Sequence, residues 1–274
     1  MIRKLINLVV KIALTIACIV AFFYINNEWL IVSEHTVESS KIPTAFDGYR
    51  IVQISDLHDA TFGENQQRLV NKIRRAKPNM IVITGDLIDS NRYNLQSSLT
   101  VIDQIVELAE VYYVTGNHEV ATNDVNRIKE ELTARGVRVL SNESVTITRD
   151  DTSLSLTGIE DPLMGLQAAD MLTAANIPHE NFTMLLAHRP EDFSAYVDEE
   201  IDLTFSGHAH GGQFRIPLLG GLVAPGQGYF PEYTAGVYEQ GQSKLVVSRG
   251  LGNSIIPIRI FNLPEIIVVT LISK

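Results

Sequence analysis

Five short blocks of histidine, aspartate, asparagine and glycine punctuate this chain, and each comes directly after an apolar run. They read Asp56-Leu57-His58, Gly85-Asp86, Gly116-Asn117-His118-Glu119, Ala187-His188 and Gly207-His208-Ala209-His210. The runs before them are too short for helices and read as buried strands. In an α/β sheet, residues just beyond the carboxyl ends of strands gather in one crevice. A fold that brings several such ends together would therefore concentrate most of the chain's imidazoles in a single pocket.

The rest of the pattern agrees with an α/β class. Strands are expected at 50–55, 80–84 and 111–115, alternating with helices at about 64–77, 95–109 and 122–135. Leu69, Ile73 and Ala76 share one face of the first of these helices, and Pro78 stops it. The second half is richer in strands, with candidates at 137–140, 144–149, 153–159, 183–187, 201–206, 244–249 and 265–272, and a helix near 167–175. Residues 211–236 form a long loop, rich in Gly and Pro, that carries Leu218, Leu219, Leu222, Val223, Tyr229 and Phe230. Either it packs over the core as a lid, or it faces lipid.

Residues 5–25 are almost wholly apolar, interrupted by Asn7 and Lys11, with Arg3 and Lys4 ahead of them. About 20 helical residues span a bilayer core, so the run is long enough to cross. Basic residues at its start predict the N-terminus inside, with everything from about residue 30 outside the cytoplasm. A small-x-small cleavage site is missing from Phe22-Phe23-Tyr24-Ile25, which weighs against a removed signal peptide. A lipid attachment at Cys18 is the third reading; it lacks the usual leucine, and the apolar run continues past it. The expected organisation is an anchor over 1–32, a linker over 33–45 and one domain over 46–274, forming a single-pass protein of the cell membrane with an extracytoplasmic domain.

Composition narrows the chemistry. Net charge is −10 although the anchor itself is basic, so nucleic acid is a poor partner for the domain. The only cysteine, Cys18, lies in the apolar run. Any metal must then be held by His, Asn and carboxylates. Asp56 and His58 are two apart, as are His208 and His210; in extended chain each pair would point to one side.

Taken in order, the blocks resemble the calcineurin-like metallophosphoesterases, whose pattern runs Asp-x-His, Gly-Asp, Gly-Asn-His-Glu, His, Gly-His-x-His. The similarity covers about residues 49–272. It implies a four-layer sandwich of two β-sheets flanked by helices, holding two divalent metal ions (Mn, Fe or Zn). Asp56, His58 and His210 would hold one ion and Asn117, His188 and His208 the other, with Asp86 bridging. His118 would protonate the leaving group, and Asp89 would pair with His118 and raise its pKa, or else cap a turn. In the protein-phosphatase branch an arginine follows that aspartate; here Ser90 does, which argues against a phosphoprotein substrate. Arg189 and Arg249 are either cationic contacts for phosphate or structural ion-pair partners.

The anchor, Arg189-Pro190, Gly211-Gly212-Gln213 and Ser248-Arg249-Gly250-Leu251-Gly252 resemble the bacterial membrane-associated branch. That likeness implies a phosphodiesterase or pyrophosphatase acting on a lipid-linked or cell-envelope substrate, for example one like UDP-2,3-diacylglucosamine. A non-catalytic metal-binding scaffold and a secreted nucleotidase or nuclease are the competing readings.

Overall fold

A computed structural model describes residues 2–254 and 256–274. Two six-stranded sheets pack face to face. The first contains β1 (Ile31–Ser39), β2 (Arg50–Ile54), β3 (Met80–Thr84), β4 (Glu110–Val114), β5 (Arg138–Val139) and the last strand, β16 (Glu265–Ser273). Their order is β1-β16-β2-β3-β4-β5, with β2 to β5 parallel and β16 antiparallel to β2. The second contains β6 (Glu143–Arg149), β7 (Thr152–Gly158), β8 (Thr183–Leu186), β9 (Leu203–Ser206), β14 (Gly236–Gln240) and β15 (Ser243–Val247), in the order β14-β15-β9-β8-β7-β6. Here β7, β8, β9 and β15 run parallel.

Strand periodicity explains the layers. Side chains alternate across a strand, and Ile81 and Ile83 of β3 join an outer core while Met80 and Val82 join the core between the sheets. The outer core of the first sheet is closed by α2 (Gln67–Arg75), α3 (Leu95–Ile105) and α5 (Val125–Ala134), through Leu69, Ile102 and Leu132. The outer face of the second is closed by α6 (Ala168–Ala175) and α7 (Phe193–Asp198), through Met171, Leu172, Phe193 and Tyr196. Helix, sheet, sheet, helix is the expected four-layer order. Each fully buried Leu, Ile or Phe in these three cores contributes roughly 1.5–3 kcal/mol.

Ahead of the sandwich, α1 (Ile2–Glu28) is a 27-residue helix, long and apolar enough to cross a membrane. The stretch expected as a linker, 33–45, is different in the structure. Strand β1 occupies most of it and runs parallel to β16 along nine paired residues. The sequence hides this strand because it is an edge: among its nine residues only Val37 is fully buried, so polar and charged residues dominate. Strand β14 was missed for the same reason, with Glu239 and Gln240 exposed on an edge.

The loop over 211–236 is folded into two small ribbons, β10 (Arg215–Ile216) with β11 (Gly220–Gly221) and β12 (Val223–Ala224) with β13 (Gly228–Tyr229). One side of it packs on the core and the other is open. Ala224 is buried, while Leu218, Leu219, Tyr229 and Phe230 are exposed.

Candidate metal centre

The polar blocks meet where strand ends of both sheets converge. Asp56 and His58 follow β2, Asp86 follows β3, and Asn117 and His118 open the short helix α4 (Asn117–Ala121) after β4. His188 follows β8, and His208 and His210 follow β9. All seven residues expected to hold metal lie in one buried cluster, although several reach it by an unexpected backbone route. Asp56, His58, Asp86, His208 and His210 all have positive φ, from 47° to 63°. Each pair two residues apart is thus carried on left-handed turns and not on extended chain. Such conformations cost roughly 1 kcal/mol or more each, and collect at sites the surrounding structure holds in place.

Two groups of donor atoms share one carboxylate. In the first, the Nε2 atoms of His58 and His210 face each other at 3.0 Å. Asp56 Oδ1 lies 3.5 Å from His210 Nε2, and Asp86 Oδ2 lies 3.6 Å from His58 Nε2. In the second, His188 Nε2 is 3.1 Å from Asn117 Oδ1, 3.1 Å from His208 Nδ1 and 3.3 Å from Asp86 Oδ2. Asp86 Oδ2 therefore sits between both groups.

Proton bookkeeping shows what the cluster lacks. His188 Nδ1–H is already donated to the Thr84 carbonyl at 2.7 Å, leaving a bare lone pair at Nε2 in the neutral ring. Around it, Asn117 Oδ1 and Asp86 Oδ2 can only accept. Asp56 Oδ2, His58 Nδ1 and His210 Nδ1 are buried with no hydrogen-bond partner among the described residues. Imidazole nitrogens, carboxylates and an amide oxygen converging in one buried space are costly when desolvated, and a cation relieves that cost. The donor set is nitrogen and oxygen, with the sole cysteine remote on α1. These residues fit a dinuclear centre.

Backbone geometry is as demanding as the side chains. A Cβ on Gly85, whose φ is +85°, would lie 2.6 Å from Gly116 N and 2.7 Å from His188 Nδ1. Only glycine lets the β3 and β4 turns approach this closely. Gln53, inside the sandwich, donates to Thr84 Oγ1 and to the Ser206 carbonyl, both at 2.9 Å, and so ties the two sheets together beneath the centre.

Glu119 completed a recognised block, but sequence reasoning gave it no role. Its fully buried carboxylate accepts the backbone N–H groups of Asp86 (2.9 Å), Leu87 (2.7 Å), Ile88 (3.2 Å) and Gly116 (2.7 Å). The available signal was its position three residues after Gly116, where a helix-opening Glu reaches back to the cap. It braces the turn that presents Asp86.

His118 sits beside the first group, its ring edge-on to His58 at 4.5 Å. The backbone N–H of Ser90 donates to His118 Nδ1 at 3.0 Å, so the proton of the neutral ring is on Nε2, which is 3.0 Å from Ser254 Oγ. Asp89 meets both expectations in part, lying within ion-pair distance of His118 and capping a turn. Its carboxylate is 3.6 Å from His118 Nδ1, and it accepts from Asn91 N at 2.9 Å and Arg92 Nε at 2.7 Å. The turn-capping contacts are the shorter ones, because the loop after Asp89 offers nearer donors and Ser90 N–H occupies the imidazole lone pair. Ser90 and Ser254 had no distinguishing sequence signal.

The two arginines also resolve. Arg189 forms a forked pair with Asp161, at 2.8 and 3.0 Å, and its Nη1 is 3.5 Å from His208 Nε2. Arg249 points away from the centre, into a separate cavity beside Arg215. Over the centre lies a cavity of about 330 Å³. Asp86, Asn117, His118, His208 and His210 form its polar wall, and Val223, Ala224, Pro225 and Ile256 an apolar one.

A two-sheet sandwich with imidazoles and carboxylates gathered at its strand ends defines a class of metal-dependent hydrolase, and comparison with known proteins identifies the family. The sequence profile of the calcineurin-like phosphoesterases matches residues 49–212. The chain is 33% identical to the "Uncharacterized metallophosphoesterase YkuE" of Bacillus subtilis (strain 168), over 91% of this chain and 88% of that protein. It is 32% identical to "Phosphodiesterase YaeI" of Escherichia coli (strain K12), over 72% and 71%. Among solved structures, TT1561 of Thermus thermophilus superposes with a TM-score of 0.50 at 12% identity, covering 74% of this chain and 90% of that one, a likeness of fold alone. The chain belongs to the calcineurin-like phosphoesterase family, and is a metal-dependent phosphoester hydrolase.

Proposed function

We propose that the chain is a dinuclear phosphodiesterase acting on an amphipathic, lipid-linked or cell-envelope phosphodiester at a membrane surface. The observation that carries this reading is the Asp86 carboxylate, with one oxygen shared between two groups of nitrogen and oxygen donors at the floor of a half-apolar cavity. Asp56, His58 and His210 would hold one ion, Asn117, His188 and His208 the other, and Asp86 both. Nitrogen and oxygen donors of this kind accept manganese, iron or zinc, and we favour manganese or an iron-containing pair. Such a pair supplies positive charge to the phosphoryl oxygens and makes an attacking hydroxide available near neutral pH.

The protein's own groups do the rest. Asn117 and His208 line the cavity and orient the phosphoryl group against the floor. Ser90 fixes the His118 ring through Nδ1: in the doubly protonated ring Nδ1–H has Ser90 Oγ at 3.0 Å, and Nε2–H, at the cavity wall, donates its proton to the departing oxygen and leaves the neutral ring. In doing so it exchanges the hydroxyl of Ser254 for the leaving group. Val223, Ala224, Pro225 and Ile256 exclude water from one side and suit an acyl or other apolar substituent. Glu119 takes no part in proton transfer; it holds the Asp86 turn.

The long apolar helix α1 supports a single-pass membrane protein, and Arg3 and Lys4 at its start support an extracytoplasmic domain. That orientation disfavours a nucleotide sugar made in the cytoplasm. Retention of every donor from Asp56 to His210 disfavours a non-catalytic scaffold, and the acidic charge disfavours a nuclease.

The test is to purify the full chain, measure its metal content, and compare bis(p-nitrophenyl) phosphate with p-nitrophenyl phosphate in added Mn²⁺. About two ions per chain and preferential diester hydrolysis, abolished in Asp86→Asn, are expected. A metal-free, inactive chain would support the scaffold, and preference for the monoester would remove the diesterase assignment.

A further inference from the structure

A second cavity lies outside the metal centre, beside the end of α1. Phe261 is exposed on one side, and on the other its ring meets Phe22 of α1 edge-on at 5.3 Å. Phe22 is six residues before the end of the helix, about 9 Å along its axis. The helix end is clamped to the domain: Asn27 Oδ1 accepts from Asn253 Nδ2 and from Arg259 N, each at 2.9 Å. Wherever α1 lies in a bilayer, Phe261 is carried to the depth of Phe22, within the apolar run.

Phe261 forms one wall of this cavity of about 470 Å³, with Ile216, Leu218 and Leu219 of the β10–β11 ribbon on another. Leu218 is fully exposed and Leu219 is 72% exposed, an unusual cost for a soluble surface. Two guanidinium groups, Arg215 and Arg249, line the same space. Arg215 donates to neutral acceptors, the Gly211 carbonyl at 2.8 Å and Thr234 Oγ1 at 3.3 Å. Arg249 Nε is 3.7 Å from Glu265 Oε1 and has no hydrogen-bond partner among the described residues. Burial, and then the Arg249 charge beside it, lower the pKa of Arg215. Two like charges are thus held together, facing one carboxylate at long range, in a chain of net charge −10.

We propose that this cavity is a second membrane contact: Arg215 and Arg249 take the phosphate of an anionic phospholipid while Leu218, Leu219 and Phe261 enter the acyl layer. Apolar side chains framing paired cations match a lipid headgroup and its first methylenes, and the continuity with α1 through Phe22 puts lipid there. The same loop carries Val223 and Ala224 into the wall of the metal cavity, so the contact would hold that cavity's mouth against the bilayer. The proposal rests on the membrane-spanning reading of α1 and is independent of the hydrolase reading.

The experiment uses the full chain in nanodiscs, in a Cys18→Ser background, with spin labels at Leu219→Cys, at Leu14→Cys in α1 and at Asp150→Cys on an exposed turn. Oxygen and a nickel chelate report whether each label meets lipid or water. Labels at 14 and 219 should both favour oxygen, and the label at 150 should favour nickel. Native mass spectrometry of the chain from mixed phosphatidylcholine and phosphatidylglycerol discs should show retained phosphatidylglycerol, enriched roughly fivefold per arginine. Arg215→Gln/Arg249→Gln should abolish that enrichment, and Leu219→Asp, at an exposed position that leaves folding intact, should weaken it. Excess inorganic phosphate should not displace the lipid. A label at 219 in water while 14 is in lipid overturns the proposal, as does equal retention of the two lipids or displacement by phosphate. A label at 14 in water overturns it together with the membrane span, whatever the hydrolase assay shows.

Discussion

The Glu119 carboxylate lies beneath Asp86 and accepts the Asp86 backbone N–H at 2.9 Å, along with three neighbouring N–H groups. The turn that presents Asp86 is thus held by a second, fully buried carboxylate that has no place in the donor cluster. Replacing it strands four buried donors. Glu119→Ala should lower stability by about 3 kcal/mol or more and strip the centre of metal. Thermal unfolding in detergent and metal analysis check both; an unfolding midpoint equal to that of the unaltered chain would show that the brace is dispensable.

A steric prediction concerns Gly85. In Gly85→Ala the new methyl meets Gly116 and His188 on two different turns, so the turns must separate. Metal content should fall well below two per chain. Gly136→Ala is the control, because Gly136 also has positive φ (+88°) but opens onto empty space. It should cost roughly 1 kcal/mol and leave metal content unchanged. Equal metal loss in the two variants would attribute the effect to backbone strain and not to the close approach.

His118 and the metal donors should separate kinetically. His118→Ala should keep its metals and lose about 10²–10⁴-fold in rate on diesters with poor leaving groups. With p-nitrophenol, which departs without a proton, the loss should be much smaller. A uniform loss across leaving groups would place His118 in binding, not proton donation.

Metal loading should release protons. In the metal-free chain, burial works against a charged His188, but the Asp86 and then the Asp56 carboxylates outweigh it and raise its pKa to about 10. At pH 8, below that value, His188 carries a proton on the very nitrogen a cation needs. Adding Mn²⁺ to metal-free chain at pH 8 should therefore release about one proton from this residue, and affinity should fall as the pH drops. Calorimetry in buffers of different ionisation enthalpy measures the number, and a buffer-independent heat would contradict it.

The donor cluster was legible because its chemistry is written in residue types at strand ends, where short continuous apolar runs such as Met80–Thr84 stop at Gly85-Asp86. The four-layer fold was legible through the same runs, with family resemblance supplying the second sheet. What escaped notice depends on partners distant in sequence. Strand β1 forms only because β16, more than 200 residues away, offers an edge, and its own pattern is half polar. Left-handed backbone at Asp56, His58, Asp86, His208 and His210 leaves no mark in composition. Nor could spacing reveal that Ser90 makes the hydrogen bond to His118 while Asp89 stands 3.6 Å away, since both are adjacent and polar.

Strand β16 lies between β1 and β2, pairing with both. A ribosome making this chain adds every residue of the donor cluster, the last being His210, before it reaches Glu265. Until then β1 and β2 have no common neighbour, and β2, which presents Asp56, is an uncovered edge of the sheet. Assembly of this sheet therefore waits for β16, and cations that arrive earlier meet Asp56 on an unfinished scaffold.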